Sequence, residues 1–531
     1  MKKIMKRLTI SSVMQSMCYG FAALLLTVSC TNDDTVQEGK QKKTDTPTGS
    51  TIFTGTSQPE ATTRTAILSH TKGAGASVNW SSNDRIWVKD DAGTWQQSAT
   101  ATIPSAANQS FAKFSLFGTY TGASHDIIYT DRGLMGSKPH VEIKAIQTQS
   151  APNNFDHAGE SGDCGIATGV KLGSGYNFSL NHKASYLCFI PRTNNEYVKR
   201  SKLIKVEIMS DDDIAGTYDI AANGALTLAS RGSKTITVTT GSGFAIDNAA
   251  DDMSKNATYA VVAPGTHTFR IRYWLRNTTD NPNGAIEGTV SKIVTLNCTA
   301  GSIHDITANL NPHDYDGDHY YMWDAQEQYW KGHEWNLGGS QPTLTTQSAS
   351  SDYPQSSGDA NNRWYNTSYP GYGVSNPAIH SCKDLPNVNE MTWYAAKGDP
   401  RWDGDELWTA MGHLYKGGMW FKKKSVLQAE GYYNSNTAVD GTDWRTNGTR
   451  NAWFVSQTLF STADANNYFY MPALGNYFSG QLYSVGDTGY YWLSSAYPWN
   501  YYAVYFLFFN SGGVYVYYNS RQFGFRAEAF Q

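Results

Sequence analysis

Between Thr51 and Pro312 apolar and polar residues alternate in short runs that stop at Gly, Asn, Asp and Ser. Ile204–Ile208, Thr235–Val238, Tyr259–Val262 and Thr268–Tyr273 alternate at a period of two, the spacing of a strand with one buried face. No long stretch repeats at the helical period, so this region is predicted to be all-β, two sandwiches divided near residues 170–176. Beyond Pro312, Leu407, Trp408, Met411 and Leu414 recur at helical spacing behind Asp405 and Glu406, which are placed to cap a helix. The C-terminal stretch returns to alternation. In Ala503–Phe509 one face carries Val504, Phe506 and Phe508, and the other Tyr505, Leu507 and Phe509. Asn510-Ser511-Gly512-Gly513 is a turn signal, after which Val514 and Val516 are read as continuing the first face and Tyr515 and Tyr517 the second. A meander normally keeps one wet face. The valine–phenylalanine face is therefore assigned to the core, and Tyr505, Leu507, Phe509, Tyr515 and Tyr517 to an exposed apolar patch of the kind that marks a binding site. A second layer over that face is the alternative, because fully buried strands have the same period.

Composition sharpens this reading in the C-terminal part. Eleven of the twenty residues 490–509 are Phe, Trp or Tyr, and twelve of the sixteen tryptophans lie in the last 219 residues. Such rings supply large, stiff contact area with a hydroxyl or indole donor, which suits a protein partner or a glycan. Tyr497, Trp499, Tyr501, Tyr502, Ser511, Tyr518, Ser520 and Phe523 complete the candidate contact set around the hairpin. Elsewhere the chemistry is sparse. Lys and Arg total 42 against 46 acidic residues, with no basic run after the first few residues, which argues against nucleic acid as a partner. Cys164, Cys188, Cys298 and Cys382 are scattered without CxxC spacing; they give no sign of a zinc site, and one bridge of unreadable connectivity is open to them. Asp314, Asp316 and Asp318 alternate like the start of a calcium loop, but the rest of such a loop is missing and a solvated interdomain turn accounts for them equally simply. Asp399, Asp403, Asp405, Glu406 and His413 are read as an acidic cluster around the helix start. No Gly-x-Ser-x-Gly, phosphate-loop or HExxH motif occurs, and no enzymatic activity is expected.

The N-terminus reads as an export signal: Lys2, Lys3, Lys6 and Arg7, an apolar run from Phe21 to Val28, then Cys30. Leu26-Thr27-Val28-Ser29-Cys30 resembles a bacterial lipoprotein box, with the leucine one position earlier than usual; the resemblance implies a signal over 1–29 and lipidation of Cys30. Secretion with cleavage nearby and an uncleaved anchor are the other readings, and the short apolar run argues against the latter. Asp33 and Asp34 resemble the acidic tag that sends Bacteroidota lipoproteins to the outer surface. Residues 30–50, nearly devoid of apolar side chains, read as a tether.

Two longer resemblances follow. Thr63-Arg64-Thr65, Val78-Asn79-Trp80, Asp84–Val88, Phe178–Leu187 and Val262–Gly265 resemble the Bacteroidota fimbrillin family. This implies tandem transthyretin-like sandwiches over 51–175 and 176–312, an outer-membrane or pilus location, and assembly with other pilin subunits by strand exchange. In that family an arginine-specific protease removes the first strand, and Arg64 stands where such a cut would fall; His182 would be a structural residue. Asn389–Tyr394, Asp405–Leu414, Gly417–Phe421, Tyr490–Ser495, Gly512 and Gly524-Phe525-Arg526 resemble the C-type-lectin-like domains of major-paralogue and retroelement-diversified proteins. That implies an α+β domain over 313–531 whose last hairpin binds a host or bacterial surface protein or a glycan. The tripeptides of calcium-dependent animal lectins are absent, and the cysteine pair of formylglycine-generating enzymes, which share the fold, is reduced to Cys382. Adenine randomisation of an AAC codon reaches Tyr, Leu, Phe and Ser, hence Tyr505, Leu507, Phe509, Ser511, Tyr515, Tyr517, Tyr518 and Ser520, though not Gln522. The two resemblances together imply a lipidated adhesin carried at a pilus tip, or alternatively a glycan-capture lipoprotein.

Overall fold

The computed structural model describes residues 49–56, 66–74, 76–105, 109–130, 134–135, 138–279, 284–336, 352–355, 358–361, 363, 378–500 and 502–531. The export signal, Cys30, Arg64 and Tyr501 lie outside the described residues. The chain is mainly β, and among the described residues no helix is long and apolar enough to cross a membrane.

The first sheet opens with β1 (Thr51–Thr56). A two-stranded hairpin of β2 (Ala66–His70) and β3 (Ala76–Asn79) follows it. β4 (Phe111–Leu116) pairs antiparallel with one edge of β1, and β5 (Gly175–Ser179) parallel with the other. Beyond β5 the sheet continues through Cys164–Leu172, Ser124–Thr130, Ile86–Lys89 and Trp95–Gln97. Phe53, Trp80, Phe114, Tyr176 and Phe178 fill its core. Asn181–His182 also pairs with Cys164–Leu172, so this sheet runs to His182, past the expected boundary at 175/176. His182 is buried there, its Nδ1 2.8 Å from Asp163 Oδ1.

The two β regions are interleaved. Lys138–Ile143 pairs with Ala215–Ile220, and Ile146–Thr148 with Thr235–Ala245, so strands early in the chain complete later sheets. In the second region β6 (Ser185–Arg192) lies between Thr258–Val262 and, beyond the long hairpin of β7 (Gly265–Asn277) and β8 (Ile286–Cys298), the parallel strand β9 (Ile303–Asn309). All four described cysteines outside the signal are buried and free, which rules out a bridge among them.

The first helix among the described residues after Pro312 lies elsewhere than expected. α1 (Val388–Lys397) starts at a capping box: the Asn387 side chain accepts from the Glu390 N–H, and the Glu390 carboxylate from the Asn387 N–H. The Leu407–Leu414 region is instead a hairpin of β10 (Arg401–Ala410) and β11 (His413–Lys422). Its two central turn residues, Met411 and Gly412, both have positive φ (49° and 75°), the requirement of a type I′ hairpin. Leu407 and Leu414 then point into the core of the second β region, while Trp408 and Met411 pack in another cluster. Leu407 and Trp408 are neighbours on opposite faces of one strand, Met411 lies in the turn and Leu414 on the next strand, so their spacing imitates a helix without forming one.

β10 also explains the acidic cluster. It joins β8 in parallel at Thr289–Glu406, so one nine-stranded sheet runs from the second β region into the part of the chain after Pro312. At the crossing a Cβ on Gly288 would stand 2.5 Å from the Asp405 carbonyl oxygen, which demands glycine. Arg272 Nη2 donates to Asp403 Oδ1 at 2.9 Å, both groups buried, and Glu406 accepts from the Ser291 hydroxyl at 2.6 Å and N–H at 3.1 Å. These carboxylates fasten two regions together and cap no helix; Asp399 accepts from Arg401 and Tyr468. Burial, then the charge of Asp403, pushes the Glu406 carboxyl up to about 7. A carboxyl raised above its unfolded value of 4.5 stabilises the fold most at low pH, and that contribution is lost as pH rises through 7. Thermal unfolding from pH 5 to 8 therefore shows a decline that Glu406→Gln flattens; parallel curves for the two proteins would refute the assignment.

β12 (Gly489–Ala496), β13 (Ala503–Asn510) and β14 (Gly513–Ser520) form the centre of the last sheet, flanked by Phe525–Arg526 beside β12 and Asn451–Trp453 beside β14.

Candidate ligand-binding face

The β13–β14 register decides which rings face outward. Asn510 pairs with Gly513, hence Phe509 with Val514, Leu507 with Val516, Tyr505 with Tyr518, Phe508 with Tyr515 and Phe506 with Tyr517. Partners across an antiparallel ladder share a face. Val514 and Val516 therefore lie with Phe509 and Leu507, the reverse of the sequence-based assignment.

That shared face is the core. α1 lays Val388, Met391, Tyr394 and Ala395 into the cluster that holds Tyr505, Leu507, Phe509, Val514 and Val516. Tyr505, Leu507 and Phe509 are all 0% exposed, which removes them from the candidate contact set. The Tyr505 hydroxyl is held between the carbonyl oxygens of Trp444 (2.9 Å) and Thr449 (3.0 Å), and burial raises its phenol above the ordinary value. The codon argument fails at the same three positions, because randomising them would randomise the core.

The opposite face carries Val504, Phe506, Phe508, Tyr515 and Tyr517, with Tyr490 from β12. Its base is a second core, in which Val504 and Phe506 pack with Trp323, Cys382, Trp492 and Phe525. Towards the Asn510 turn the face opens. Phe508, Tyr515, Tyr517, Tyr490 and Phe523 are half-buried, with ring centroids 4.8 Å apart for Phe508–Tyr515, 5.2 Å for Tyr490–Phe508 and 6.0 Å for Tyr515–Tyr517. The Arg450 guanidinium stands over Tyr517 and Tyr518 at 5.1 and 5.5 Å from their centroids. Sequence reasoning missed Phe508 and Arg450. The correct pairing across the two-residue turn was the signal that would have exposed Phe508; Arg450 is far along the chain and had none.

The other candidates divide. Tyr497 is buried, stacked on Tyr518 at 3.8 Å, and its hydroxyl donates to the Gly448 carbonyl at 3.1 Å. Trp499 and Tyr502 are 57% and 55% exposed, Ser511 is exposed, and Tyr518 and Ser520 are half-buried. Asp314, Asp316 and Asp318 do not converge: Asp314 accepts from Thr409, and Asp316 from His319 and the Asp318 N–H. Among the described residues they form no cluster of ligand atoms able to hold a metal.

At the turn end, Tyr515 also lines a cleft of about 1270 Å³ between the start of β8 and the β10–β11 hairpin. Trp402 and Tyr415 add rings to its walls, and Glu287, Lys416 and Asp487 add charged groups. A wall of rings with interspersed polar groups can stack a sugar ring and hydrogen-bond its hydroxyls.

No family model matches the sequence, and no curated protein matches it. Among solved structures, a candidate cell adhesion protein from Bacteroides ovatus is similar at 13% identity over 49% of this chain and 92% of that one, with a TM-score of 0.30. The fimbrial anchor protein Mfa2 from Porphyromonas gingivalis is similar at 10% identity over 49% and 90%, TM-score 0.23. A fimbrial protein from Bacteroides ovatus is similar at 10% identity over 89% and 97%, TM-score 0.25. Similarity at this level assigns neither fold nor activity, and the functional reading rests on the chain's own residues.

Proposed function

We propose that this chain is a cell-surface adhesin that binds its target through the open end of the outer hairpin face, centred on Phe508, Tyr515 and Tyr517. The observation that carries the reading is this ring cluster, left half-buried beside two complete cores and flanked by Arg450. Rings half-exposed next to a guanidinium are the residue types that dominate binding energy at interfaces. The export signal and Cys30 support display at the outer membrane through a lipid anchor. Retroelement diversification is retained for Ser511, Tyr515, Tyr517, Tyr518 and Ser520.

Assembly with other pilin subunits by strand exchange belongs to the same proposal. β1 lies between β4 and β5, so a cut at Arg64 that released it would leave a slot between two strands for a neighbour. Phe525–Arg526 pairs with Tyr320–Tyr321, and the Gln531 carbonyl accepts from the Lys424 N–H at 2.9 Å. A position at the pilus tip is part of the same proposal, since a ligand-binding face serves adhesion where it meets its target.

The combined substitution Tyr515→Ser and Tyr517→Ser is expected to weaken adherence of cells bearing the protein to epithelial monolayers or bacterial lawns by about 30-fold or more, the loss of one interface hot spot. Unchanged adherence by a folded variant would overturn the face. A glycan-capture role is the second reading, favoured by the Trp402–Tyr415–Tyr515 cleft; binding to a sugar array that Trp402→Ala abolishes and Tyr517→Ser, outside the cleft, spares would select it.

A further inference from the structure

A side-chain cluster remote from the hairpin face holds three donors of different kinds. His70 ends β2, Cys188 lies in the middle of β6, and Asp305 is its direct partner across the parallel β6–β9 ladder. The imidazole, thiol and carboxylate each offer one atom, and these atoms all lie within 4.8 Å of one another. His70 Nε2 stands 2.8 Å from Asp305 Oδ1, and the Gly73 N–H donates to Asp305 Oδ2 at 2.7 Å. His70 and Cys188 are 4% and 0% exposed. His70 Nδ1 is buried without a hydrogen-bond partner, leaving the ring free to carry its proton there and present a lone pair at Nε2. Tyr259 approaches the His70 ring edge-on at 6.1 Å and stacks on Phe155, so the cluster has an apolar wall.

We propose that His70, Cys188 and Asp305 form a binding site for a zinc-like divalent cation, which fastens the β2–β3 hairpin to the second sandwich. The donor set selects the ion. A thiolate disfavours calcium and magnesium, which take oxygen ligands, whereas sulfur, imidazole nitrogen and carboxylate together suit Zn²⁺. Tetrahedral zinc with bonds of about 2.0–2.3 Å sets its donors roughly 3.3–3.6 Å apart. The His70–Asp305 pair need open only slightly from 2.8 Å to meet that spacing. On binding, the Cys188 S–H bond is replaced by S–Zn and the thiol proton leaves to solvent; the Nε2–H that donates to Asp305 is given up as the ring takes its proton on Nδ1, and Nε2 and the Asp305 carboxylate each bind the metal. Three protein donors leave the fourth position for water.

The hairpin itself gives a reason for such a clasp. β2 and β3 pair only with each other among the described strands. A lone two-stranded hairpin is marginally stable, so its contacts to the sandwich must hold it. Those contacts gather here: His70 and Gly73 on Asp305, and Lys72 on Asp251 at 2.5 Å. An ion shared between β2, β6 and β9 joins the hairpin to the sandwich at the point where its own ladder ends.

The test uses the purified, untagged protein and Co²⁺ as a spectroscopic probe. The expected result is one Co²⁺ per chain with a thiolate-to-cobalt charge-transfer band in the near ultraviolet, bleached by added Zn²⁺. Cys188→Ser loses the band, and His70→Ala, which changes a residue of the hairpin outside the sandwich sheets, weakens cobalt binding at least tenfold. Zn²⁺ is also expected to raise the unfolding midpoint of the unmodified protein but not that of His70→Ala. No band in the unmodified protein overturns the site whatever the variants do, as does a band that survives unchanged in His70→Ala.

Discussion

Phe509→Ala is expected to destabilise the C-terminal domain by about 3–5 kcal/mol, whereas Tyr515→Ser on the opposite face of the same hairpin changes stability by less than about 1 kcal/mol. Phe509 is fully buried, stacks on Tyr491 with centroids 5.8 Å apart, meets Phe421 edge-on at 6.0 Å, and presses on the backbone of Gly489. Removing the ring leaves a cavity that strands on one side and α1 on the other cannot both close, so the transfer and cavity costs add. Tyr515 keeps part of its surface in water, so trimming it opens no closed cavity. Chemical denaturation of the two variants, followed by near-ultraviolet absorbance of the aromatic core, reads the difference. Equal losses would mean that both faces are core and would remove the proposed binding face; a harmless Phe509→Ala would mean that the register is wrong.

Asp403→Ala is expected to cost about 3–5 kcal/mol, because it leaves the Arg272 guanidinium buried without its ion-pair partner. Arg272 and Asp403 come from β7 and β10, are both buried, and are 2.9 Å apart; the same carboxylate accepts from the Trp420 indole at 3.3 Å. Asp405 lies farther from Arg272, at 3.7 Å, and is more open to solvent, so it compensates only in part. The substitution acts where β8 meets β10, and it is expected to lower the midpoint of thermal unfolding. The double variant Arg272→Met with Asp403→Leu separates the causes: it removes the stranded charge and should recover most of the loss. A small effect of Asp403→Ala, under about 1 kcal/mol, would show the pair to be exposed and the junction to be held by the strand pairing alone.

Much of the β character was legible because alternation is a local property. Ile204–Ile208 and Thr268–Tyr273 carry their period within six residues, and each lies in a strand. The same locality misled at Leu407–Leu414, where a β-hairpin with a two-residue turn mimics helical spacing. The helix that does form announces itself at Asn387 and Glu390, a capping pair three residues apart that the sequence reading passed over. The candidate site was half legible. Tyr515, Tyr517, Tyr518 and Phe523 were named from composition and turn chemistry, and they lie on or beside the open face; Tyr505, Leu507 and Phe509 were not distinguishable from them by period alone.

By itself, then, the sequence determined where strands form, where the hairpin turns, and how aromatic its last sheet would be, since each depends on neighbours a few residues away. Only the tertiary structure decided which hairpin face is core, because that follows from the residue-by-residue pairing and from α1, more than a hundred positions earlier, lying on one side. It alone brought Lys138–Thr148 into the later sheets, turned the acidic cluster into a clasp on Arg272 and Ser291, and set His70, Cys188 and Asp305 around one point. Those contacts join residues tens to hundreds of positions apart, and no local period or motif encodes a contact at that range.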